Sequence, residues 1–397
     1  MRRHIVKIAP TGFFADYGCH VRILEETRML QNQGYDVTIL TYPGGEDPPD
    51  TRIIRVPSWV HHGRTRVGSH WNKLFLDPAL MMTALARTAT STIDVVHAHL
   101  HEGVLIGWPI ARMHRAGLVF DYQGSLTREM LDHQFIDEQS HALIAFRRLE
   151  KLANHLADRI ITSSENARDS LITNYDVEPD HVVAVTDGVN LQRFRPRHPK
   201  DEKRLTELSR RFQIPSGRLI VGYLGLLAEY QGTGDLILAA RSVVNKLPDT
   251  HFLVMGFPNV TAYRSAAEAA GLSSHMTFTG RIDYADAPDA LRLVDLAVAP
   301  KRSETEGNGK VLNYMATGLP TIAYDGSVAR ELLGNKGCRV PVGSVEALAL
   351  AIERYVSDAR LRRSEGHALR TRVEQEYGWQ RQIKRIEDVY QSLWKPN

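Results

Sequence analysis

Short apolar runs alternate with amphipathic stretches along nearly the whole chain. The runs have the length and composition of buried strands, and the stretches between them repeat apolar positions with a helical period. Because helical segments separate most of the runs, the pattern predicts two largely parallel, doubly wound α/β sheets. The predicted strands cover residues 5–10, 36–40, 53–56, 94–97, 117–120, 159–162, 181–185, 219–224, 251–255, 276–279, 296–300 and 321–324.

Residues 194–204 separate the two series of strands. Two prolines and a run of charged side chains there predict a linker that joins neither core. We therefore predict a first domain over residues 1–195, a second domain over residues 196–378, and a last helix, residues 379–397, that packs back on the first domain. Ligands of doubly wound sheets bind outside the carboxyl ends of the strands, so we expect the site in the cleft between the domains.

Composition adds few constraints to this picture. The 397 residues include 49 Lys and Arg against 46 Asp and Glu, and 43% are hydrophobic, which argues against long disorder and against a nucleic-acid-binding protein. Cys19 and Cys338 lie too far apart for a disulfide framework or zinc-knuckle spacing, so we expect a reducing compartment. With no apolar run of about 18 residues, we expect a cytoplasmic protein, either free or peripheral at the inner face of a membrane.

Two common phosphate-binding motifs are missing from the sequence. The loop after the first predicted strand, residues 10–18, lacks the Gly-x-Gly-x-x-Gly fingerprint of dinucleotide-binding folds. Val311 follows the Gly-Lys pair, and Glu304 stands where a phosphate-binding loop of the NTPase type needs its first glycine. The sequence therefore disfavours a nicotinamide oxidoreductase and an NTPase.

An acidic, glycine-rich turn follows the predicted strand at residues 296–300. A helix is predicted from near Asn308 to Gly318, and the amides of its first turn and its positive dipole end make an anion site. Lys310 would lie on the first turn of this helix and Asn313 one turn further along. The alternative is that the glycines only make a tight turn and that Lys310 is solvated.

The ordered set of motifs resembles the retaining GT-B glycosyltransferases of family four, the glycosyl transferases group 1. The resemblance rests on the segment 301–322, on Asp-Val-Val-His-Ala-His at residues 94–99, on Asp-Gly-Val-Asn at residues 187–190, and on the glycine loop at residues 10–18. It covers nearly the whole chain. It implies a GT-B fold, with two Rossmann-like doubly wound domains facing a central cleft.

The same resemblance implies a hexosyltransferase. Such an enzyme moves a sugar from a nucleotide-diphosphate sugar to an acceptor hydroxyl on a glycan, a lipid-linked acceptor or a small molecule, with retention and without a metal or other cofactor. Glu306 would match the acid that contacts sugar hydroxyls, with Glu304 as the alternative one register away, and Lys310 would contact phosphate. Arg281 and Ile282 lie where the base is usually held. The donor-site residues implied are Gly18, Arg281, Ile282, Lys301, Arg302, Glu304, Gly307, Asn308, Gly309, Lys310, Val311 and Asn313.

Three positions depart from the family pattern. Asn313 stands where the ribose-binding Glu is expected; it can still hydrogen-bond hydroxyls but carries no charge. Leu226 replaces a common Arg and Gln231 replaces a common Lys, which removes two cations from the expected diphosphate site. We hypothesise that Lys310, together with Lys301 or Arg302, supplies the missing charge.

His97, His99 and His101 alternate along the chain, so on an extended segment all three would point one way. They are open to three interpretations: hydrogen-bonded structural histidines, a substrate role in the cleft, or a metal site, for which no further ligands are evident. We predict no metal. By resemblance, Gln123 occupies the position of a functional family histidine, and Glu306, Gln123 and His99 are the candidate catalytic residues.

Residues 59–75 mix cations with aromatic side chains. Such a segment could rest on an anionic bilayer or guide a lipid-linked acceptor, and a solvated loop explains it equally well. The expected partners are a nucleotide-sugar donor and a glycan or lipid-linked acceptor, without nucleic acid. The alternatives are a nucleotide-sugar epimerase of the same fold and a nucleotide-sugar-binding protein without activity. The lack of an obvious pyridoxal-phosphate lysine motif argues against a phosphorylase.

Overall fold

The computed structural model describes residues 2–15, 18–60, 72–132, 136–137, 139–303 and 307–394. The chain divides into two compact units. The first unit comprises residues 1–187, 305–307 and 379–397, and the second comprises residues 188–304 and 308–378. The long N-terminal stretch of the first unit ends at Asp187, whereas the sequence predicts a domain boundary after Arg195.

The first unit is built on a seven-stranded, wholly parallel sheet. Its strand order is β3-β2-β1-β4-β5-β6-β7, so the order reverses between β1 and β4. The strands are β1 (His4–Ala9), β2 (Asp36–Thr41), β3 (Arg52–Arg55), β4 (Val95–His99), β5 (Gly117–Tyr122), β6 (Arg159–Thr162) and β7 (Val182–Ala184).

Helices cover both faces of this sheet. On one face Val6, Val96 and Phe120 pack against the helices that include α2 and α3, and on the other Ile5 and Val119 pack against α1 and the last helix of the chain. The helices of the unit are α1 (Gly18–Asn32), α2 (Lys73–Thr88), α3 (Leu100–His114), α4 (Leu126–Asp132), α5 (Ala142–Leu156), α6 (Glu165–Tyr175) and, from the chain's end, α15 (Trp379–Leu393).

The second unit repeats the architecture with six parallel strands in the order β10-β9-β8-β11-β12-β13, which reverses between β8 and β11. Its strands are β8 (Leu219–Leu224), β9 (Thr250–Met255), β10 (Met276–Gly280), β11 (Leu296–Ala299), β12 (Thr321–Tyr324) and β13 (Cys338–Val340). Its helices are α7 (Glu202–Arg211), α8 (Thr233–Lys246), α9 (Val260–Ala269), α10 (Ala287–Leu291), α11 (Gly309–Thr317), α12 (Ser327–Leu333), α13 (Val345–Ser357) and α14 (Ala359–Glu376).

The predicted parallel, doubly wound α/β architecture is confirmed in both units. Each sheet is sandwiched between apolar clusters, which explains why its strands appear in the sequence as continuous rather than alternating apolar runs. In the described part of the chain, no helix combines the length and apolar character that crossing a bilayer requires.

The prediction that residues 194–204 join neither core is wrong. Phe194 is fully buried in the second unit's core. Arg195 donates two hydrogen bonds to the carboxylate of Asp201, at 2.8 and 2.7 Å, and α7 begins at Glu202. Arg204 on α7 pairs with Asp286 and Asp289, so this charged run belongs to a folded part of the second unit.

Candidate functional site

The second sheet reverses its strand order between β8 and β11, the place where doubly wound sheets form ligand crevices. Gly232, just ahead of α8, has a φ of +74°, and a Cβ there would lie 1.9 Å from the carbonyl oxygen of Pro300. Only glycine permits this close approach. The turn Glu229–Gln231 is thereby held against the end of β11.

Lys310 extends from the first turn of α11 towards the end of β8. Its Nζ donates to Oε1 of Gln231 at 2.7 Å and to the hydroxyl of Tyr223 at 3.3 Å, and it lies 4.6 Å from the centroid of the Tyr223 ring. A Cβ on Gly225, where φ is +153°, would lie 2.7 Å from Nζ. These two hydrogen-bond partners are neutral, and they keep the ammonium at this edge of the sheet.

Arg302 is turned towards α8 instead. Its Nε and Nη2 both donate to the carboxylate of Asp235, which also accepts a 2.7 Å hydrogen bond from the hydroxyl of Tyr324. The positive charge of Arg302 is therefore compensated by a buried partner, and this two-pronged contact ties the loop after β11 to α8. Lys301, which precedes it, is 7% exposed.

The helix predicted from near Asn308 is α11. Gly309 begins the helix, and Asn308 precedes it as a nearly buried residue whose Oδ1 has no hydrogen-bond partner among the residues that the structure describes. Val311 is buried in the core of the unit, while Gly307 and Asn313 are half-buried. The candidate acids Glu304 and Glu306 lie outside the described residues.

Arg281 and Ile282, the residues expected beside a base, follow β10. The guanidinium of Arg281 lies 5.9 Å from the centroid of the Phe257 ring, and Ile282 is half-buried against the second unit's core. Gly280 before them has a φ of +73°, and a Cβ there would meet nothing within 4 Å. The open backbone at Gly280 is therefore followed by a cationic side chain, Arg281, and by an apolar one, Ile282.

In the first unit, charged side chains are buried together beside β1 and β4. Nζ of Lys7 lies 2.8 Å from the Glu26 carboxylate, and the Arg22 guanidinium contacts Asp121 at 3.0 Å, Glu26 at 3.0 Å and Asp187 at 2.8 Å. Burial alone would lower the pKa of Arg22, but the carboxylates of Asp121, Glu26 and Asp187 outweigh it and raise that pKa. Arg22 therefore stays charged and holds three carboxylates at once.

Gln123 and His99, two of the candidate catalytic residues, meet on the carboxylate of Asp121. Nδ1 of His99 lies 2.8 Å from Oδ2 of Asp121, and Nε2 of Gln123 donates to the same oxygen at 2.9 Å. His99 is fully buried, and burial lowers its pKa well below the ordinary value. Gln123 is half-buried and is the more exposed of the two side chains. His99 is neutral and buried, and it contacts Gln123 indirectly through the shared carboxylate of Asp121.

The three alternating histidines do not point one way. His97 and His99 are stacked with ring centroids 4.6 Å apart, but the strand ends at His99, and His101 lies in α3 with its ring edge against Phe120 and Tyr122. The alternation of an extended strand stops where the helix starts.

Possible ligand atoms of Glu26, His97, His99 and Asp121 lie within 4.8 Å of one another. Lys7 and Arg22 already pair with the two carboxylates, so a divalent cation would have to compete with two resident cations. The arrangement favours an internally neutralised polar core over a metal site.

The glycine loop of the first unit leads into α1 at Gly18, which is exposed and open around its Cα. Nε2 of His20 lies 2.6 Å from Oγ1 of Thr11, and its Nδ1 accepts a hydrogen bond from the amide of Ala15. Burial lowers the pKa of His20 to about 3, so the imidazole is neutral and links Thr11 to Ala15 within this loop. Burial, assisted by Glu129, raises the pKa of Cys19 to about 12, which disfavours a thiolate nucleophile.

Sequence reasoning missed several partners of these residues: Tyr223, Asp235 and Tyr324 in the second unit, and Lys7, Arg22 and Asp187 in the first. One signal was available, because a lysine inside the apolar run Ile-Val-Lys-Ile must be either exposed or buried with a carboxylate. The other partners are distant in sequence, and no local pattern marks them.

Comparisons with known proteins bear on both units. A family model described as "Glycosyl transferases group 1" matches residues 218–358, and one described as "Glycosyl transferase 4-like domain" matches residues 17–188. The chain is 27% identical over 370 residues to the 2-deoxystreptamine N-acetyl-D-glucosaminyltransferase of Streptomyces fradiae, covering 89% of this chain and 86% of that protein.

Two solved structures are similar along nearly their whole length. Sucrose-phosphate synthase from Thermosynechococcus elongatus superposes with a TM-score of 0.82 at 20% identity, over 99% of each chain. The Anabaena protein Alr3699/HepE in complex with UDP-glucose superposes with a TM-score of 0.78 at 16% identity, over 98% of this chain and 99% of that one. At these identities the likeness shows a shared fold.

Proposed function

We propose that this chain, which belongs to the glycosyl transferases group 1, transfers its sugar with retention of the anomeric configuration. We also propose that Lys310 stabilises the departing nucleoside diphosphate. Membership of the family makes the chain a nucleotide-sugar glycosyltransferase, a hexosyltransferase with the GT-B fold. Retention, catalysis without a metal and the residue roles below belong to the proposal.

The observation that supports the proposal best is the position of the Lys310 ammonium. It lies at the carboxyl edge of β8, next to the first turn of α11, where main-chain amides and the helix dipole also favour an anion. Cleavage of the bond between sugar and phosphate leaves negative charge on the diphosphate. A preorganised ammonium there stabilises the transition state more than the ground state.

The same proposal gives roles to the other candidate residues. Main-chain groups of residues 307–309 would approach the diphosphate, Asn313 would hydrogen-bond ribose hydroxyls, and Arg281 with Ile282 would hold the base. Glu306, or Glu304 in its place, would accept hydrogen bonds from sugar hydroxyls, and the Gln123 amide would contact a sugar hydroxyl. Arg302 contributes by fixing the loop through Asp235 rather than by meeting phosphate.

Replacement of Lys310 tests this assignment. Lys310→Met keeps the length of the side chain and removes the charge, so we expect kcat/KM for the nucleotide sugar to fall by about 100-fold to 1,000-fold. Lys246→Met is the matched control, because Lys246 is an exposed lysine paired with Glu353 on the surface. Unchanged donor affinity and turnover in Lys310→Met would refute the proposed role.

We further propose a peripheral contact with anionic lipid at residues 59–75, which serves a lipid-linked acceptor. The segment carries three large apolar side chains that are more than half exposed, Trp59, Leu74 and Phe75, and Met82 follows on α2 with a similar exposure. Residues 61–71 lie outside the described residues. We expect binding to vesicles rich in phosphatidylserine that weakens as salt rises, because the attraction of cations to the surface is screened. No binding to these vesicles at low salt would exclude the contact.

A further inference from the structure

The carboxylate of Asp121, near the end of β5, is the meeting point of three side chains. Its Oδ2 accepts from Nε of Arg22 at 3.0 Å and from Nε2 of Gln123 at 2.9 Å. Nδ1 of His99 lies 2.8 Å from the same oxygen. Asp121 is fully buried. A buried carboxylate in contact with a side chain that is proposed to meet the substrate calls for a functional explanation.

We propose that Asp121 is a positioning residue, which fixes the Gln123 amide in one orientation and so makes Gln123 the acceptor of a hydrogen bond from a sugar hydroxyl. The inference rests on the proposed contact between Gln123 and a sugar hydroxyl, and it deepens that contact by giving it a direction. The sugar must then carry at this place a hydroxyl that donates. A fluorine atom or a carboxylate there would find no donor on the amide.

The direction follows from what each group can donate. An ionised carboxylate only accepts hydrogen bonds, so the NH2 end of the Gln123 amide faces Asp121 and the oxygen end faces away. The reversed amide would set Oε1 of Gln123 against a negatively charged oxygen. Within the described part of the chain Oε1 accepts no hydrogen bond, and Gln123 is only half-buried, so this oxygen is available to substrate.

Asp121 is itself held from two sides. The Arg22 guanidinium contacts both carboxylate oxygens, with Nη2 3.0 Å from Oδ1. Burial lowers the pKa of His99 well below its ordinary value, so the neutral ring has one proton, which it must carry on Nδ1 to donate to the carboxylate. This nitrogen then cannot accept from the Gln123 amide 3.3 Å away, and Asp121 is left as the acceptor for that amide.

The variant Asp121→Asn removes the fixed direction while it keeps the shape of the side chain. An asparagine can turn its NH2 group towards the glutamine, which can then turn its own NH2 group outwards. The cations of the cluster, Lys7 and Arg22, keep the carboxylates of Glu26 and Asp187 as partners. We therefore expect a folded variant in which the glutamine amide is free to reverse.

Fluorinated analogues of the donor test the proposal, because fluorine can accept a hydrogen bond but cannot donate one. We use whichever of UDP-glucose, GDP-mannose and ADP-glucose the wild type hydrolyses fastest, together with each form in which one sugar hydroxyl is replaced by fluorine. At one position the preference for hydroxyl over fluorine in kcat/KM should be at least about 10-fold larger in the wild type than in Gln123→Met. The comparison with Gln123→Met removes the electronic effect of fluorine, which both enzymes share.

Asp121→Asn should lose this preference, to within about 3-fold of the value for Gln123→Met, because the reversed amide offers an NH2 group to fluorine. Asp94→Asn is the matched control. Asp94 is a half-buried aspartate just before β4, at the amino end of the strand, where it accepts a hydrogen bond from the amide of His4 at 2.7 Å. This variant should keep the wild-type preference.

The outcomes separate the two proposals. If Gln123→Met keeps the wild-type preference at every position, the proposed contact of Gln123 with a sugar hydroxyl fails. If Gln123→Met loses the preference and Asp121→Asn keeps it, the contact stands and the positioning by Asp121 is overturned.

A measurement on the wild type decides the matter if Asp121→Asn melts below the assay temperature. One side-chain amide proton of Gln123, identified by heteronuclear NMR as a signal absent from Gln123→Met, should exchange with solvent at least about 10-fold more slowly than those of Gln380, an exposed glutamine on α15. Equal exchange rates would overturn the proposal.

Discussion

At the scale of the residue, Arg22 offers a test of the buried charges. Arg22→Met should lower the free energy of unfolding by about 3–5 kcal/mol, because buried Asp121 loses its arginine and buried Glu26 keeps only Lys7. Arg28→Met on the same helix should cost less than about 1 kcal/mol, since Arg28 is partly exposed and 3.6 Å from Glu25. Urea denaturation measures both, and equal costs would contradict a buried network centred on Arg22.

Lys310 and the helix that carries it could be predicted from the sequence, because a glycine-rich turn, a helix start and a lysine are adjacent in the chain. The Lys310 partner Gln231 lies 79 residues away, and the Arg302 partner Asp235 lies 67 residues away. Such contacts are decided by how loops of different strands pack, so the sequence could not test the hypothesis that Arg302 joins Lys310.

At the scale of elements, strands were predicted well where they are buried on both faces. The run Cys338–Val340 was missed because β13 is a short edge strand with an arginine at its centre, and it lacks the apolar signal of a central strand. His101 was misplaced for a related reason, because the strand changes to helix after His99 without a proline or glycine to mark the boundary.

Gly232 tests how the turn before α8 is packed. Gly232→Ala should destabilise the second unit by about 2–4 kcal/mol, because its φ is +74° and the new Cβ would lie 1.9 Å from the carbonyl oxygen of Pro300. Gly271→Ala is a matched control with a φ of +77° and nothing within 4 Å, and it should cost only about 1 kcal/mol. Similar losses of stability by urea denaturation would show that the close approach to Pro300 is unimportant.

At the scale of the whole molecule, buried neutral histidines make stability depend on pH. Burial lowers the pKa of His20 to about 3, and it also lowers those of His97, His99 and His101. Between about pH 6.5 and the folded pKa the unfolded chain binds more protons, so stability falls as pH falls, by up to about 1.4 kcal/mol per unit for each histidine. Burial raises the pKa of Asp77 to about 6 and also raises the pKa values of Asp187 and Asp295. These three carboxyls act in the opposite direction, but only where the pH falls below their raised pKa values, whereas the histidine effect begins at about pH 6.5.

We therefore expect the melting temperature to fall steadily from pH 7.5 to pH 5.0. The variant His20→Gln should show a shallower fall, since one of the proton-binding differences is removed. The comparison uses the slope with pH and not the absolute melting temperature, because the substitution also disturbs the hydrogen bonds to Thr11 and Ala15. A slope identical to that of the wild type would show that His20 takes up its proton in the folded state.

The ordered motifs along the chain carried enough information for the family and the fold, because each motif marks the end of a strand and the strands follow one another in a fixed order. The base, sugar and acceptor could not be predicted, because the surroundings of Arg281 and Gln123, which we propose contact the base and a sugar hydroxyl, are not described by any local pattern.

Retaining sugar transfer from a nucleotide donor is tested most directly by proton NMR of the reaction. Wild-type enzyme is incubated with UDP-glucose, GDP-mannose and ADP-glucose, and the released nucleoside diphosphate and the first-formed sugar anomer are followed together. We predict that one donor releases its diphosphate, that the sugar first appears with the donor's own anomeric configuration, and that Lys310→Met slows both signals by at least about 100-fold. Inverted sugar, an epimerised sugar, or release at the wild-type rate in Lys310→Met would contradict retaining transfer assisted by Lys310.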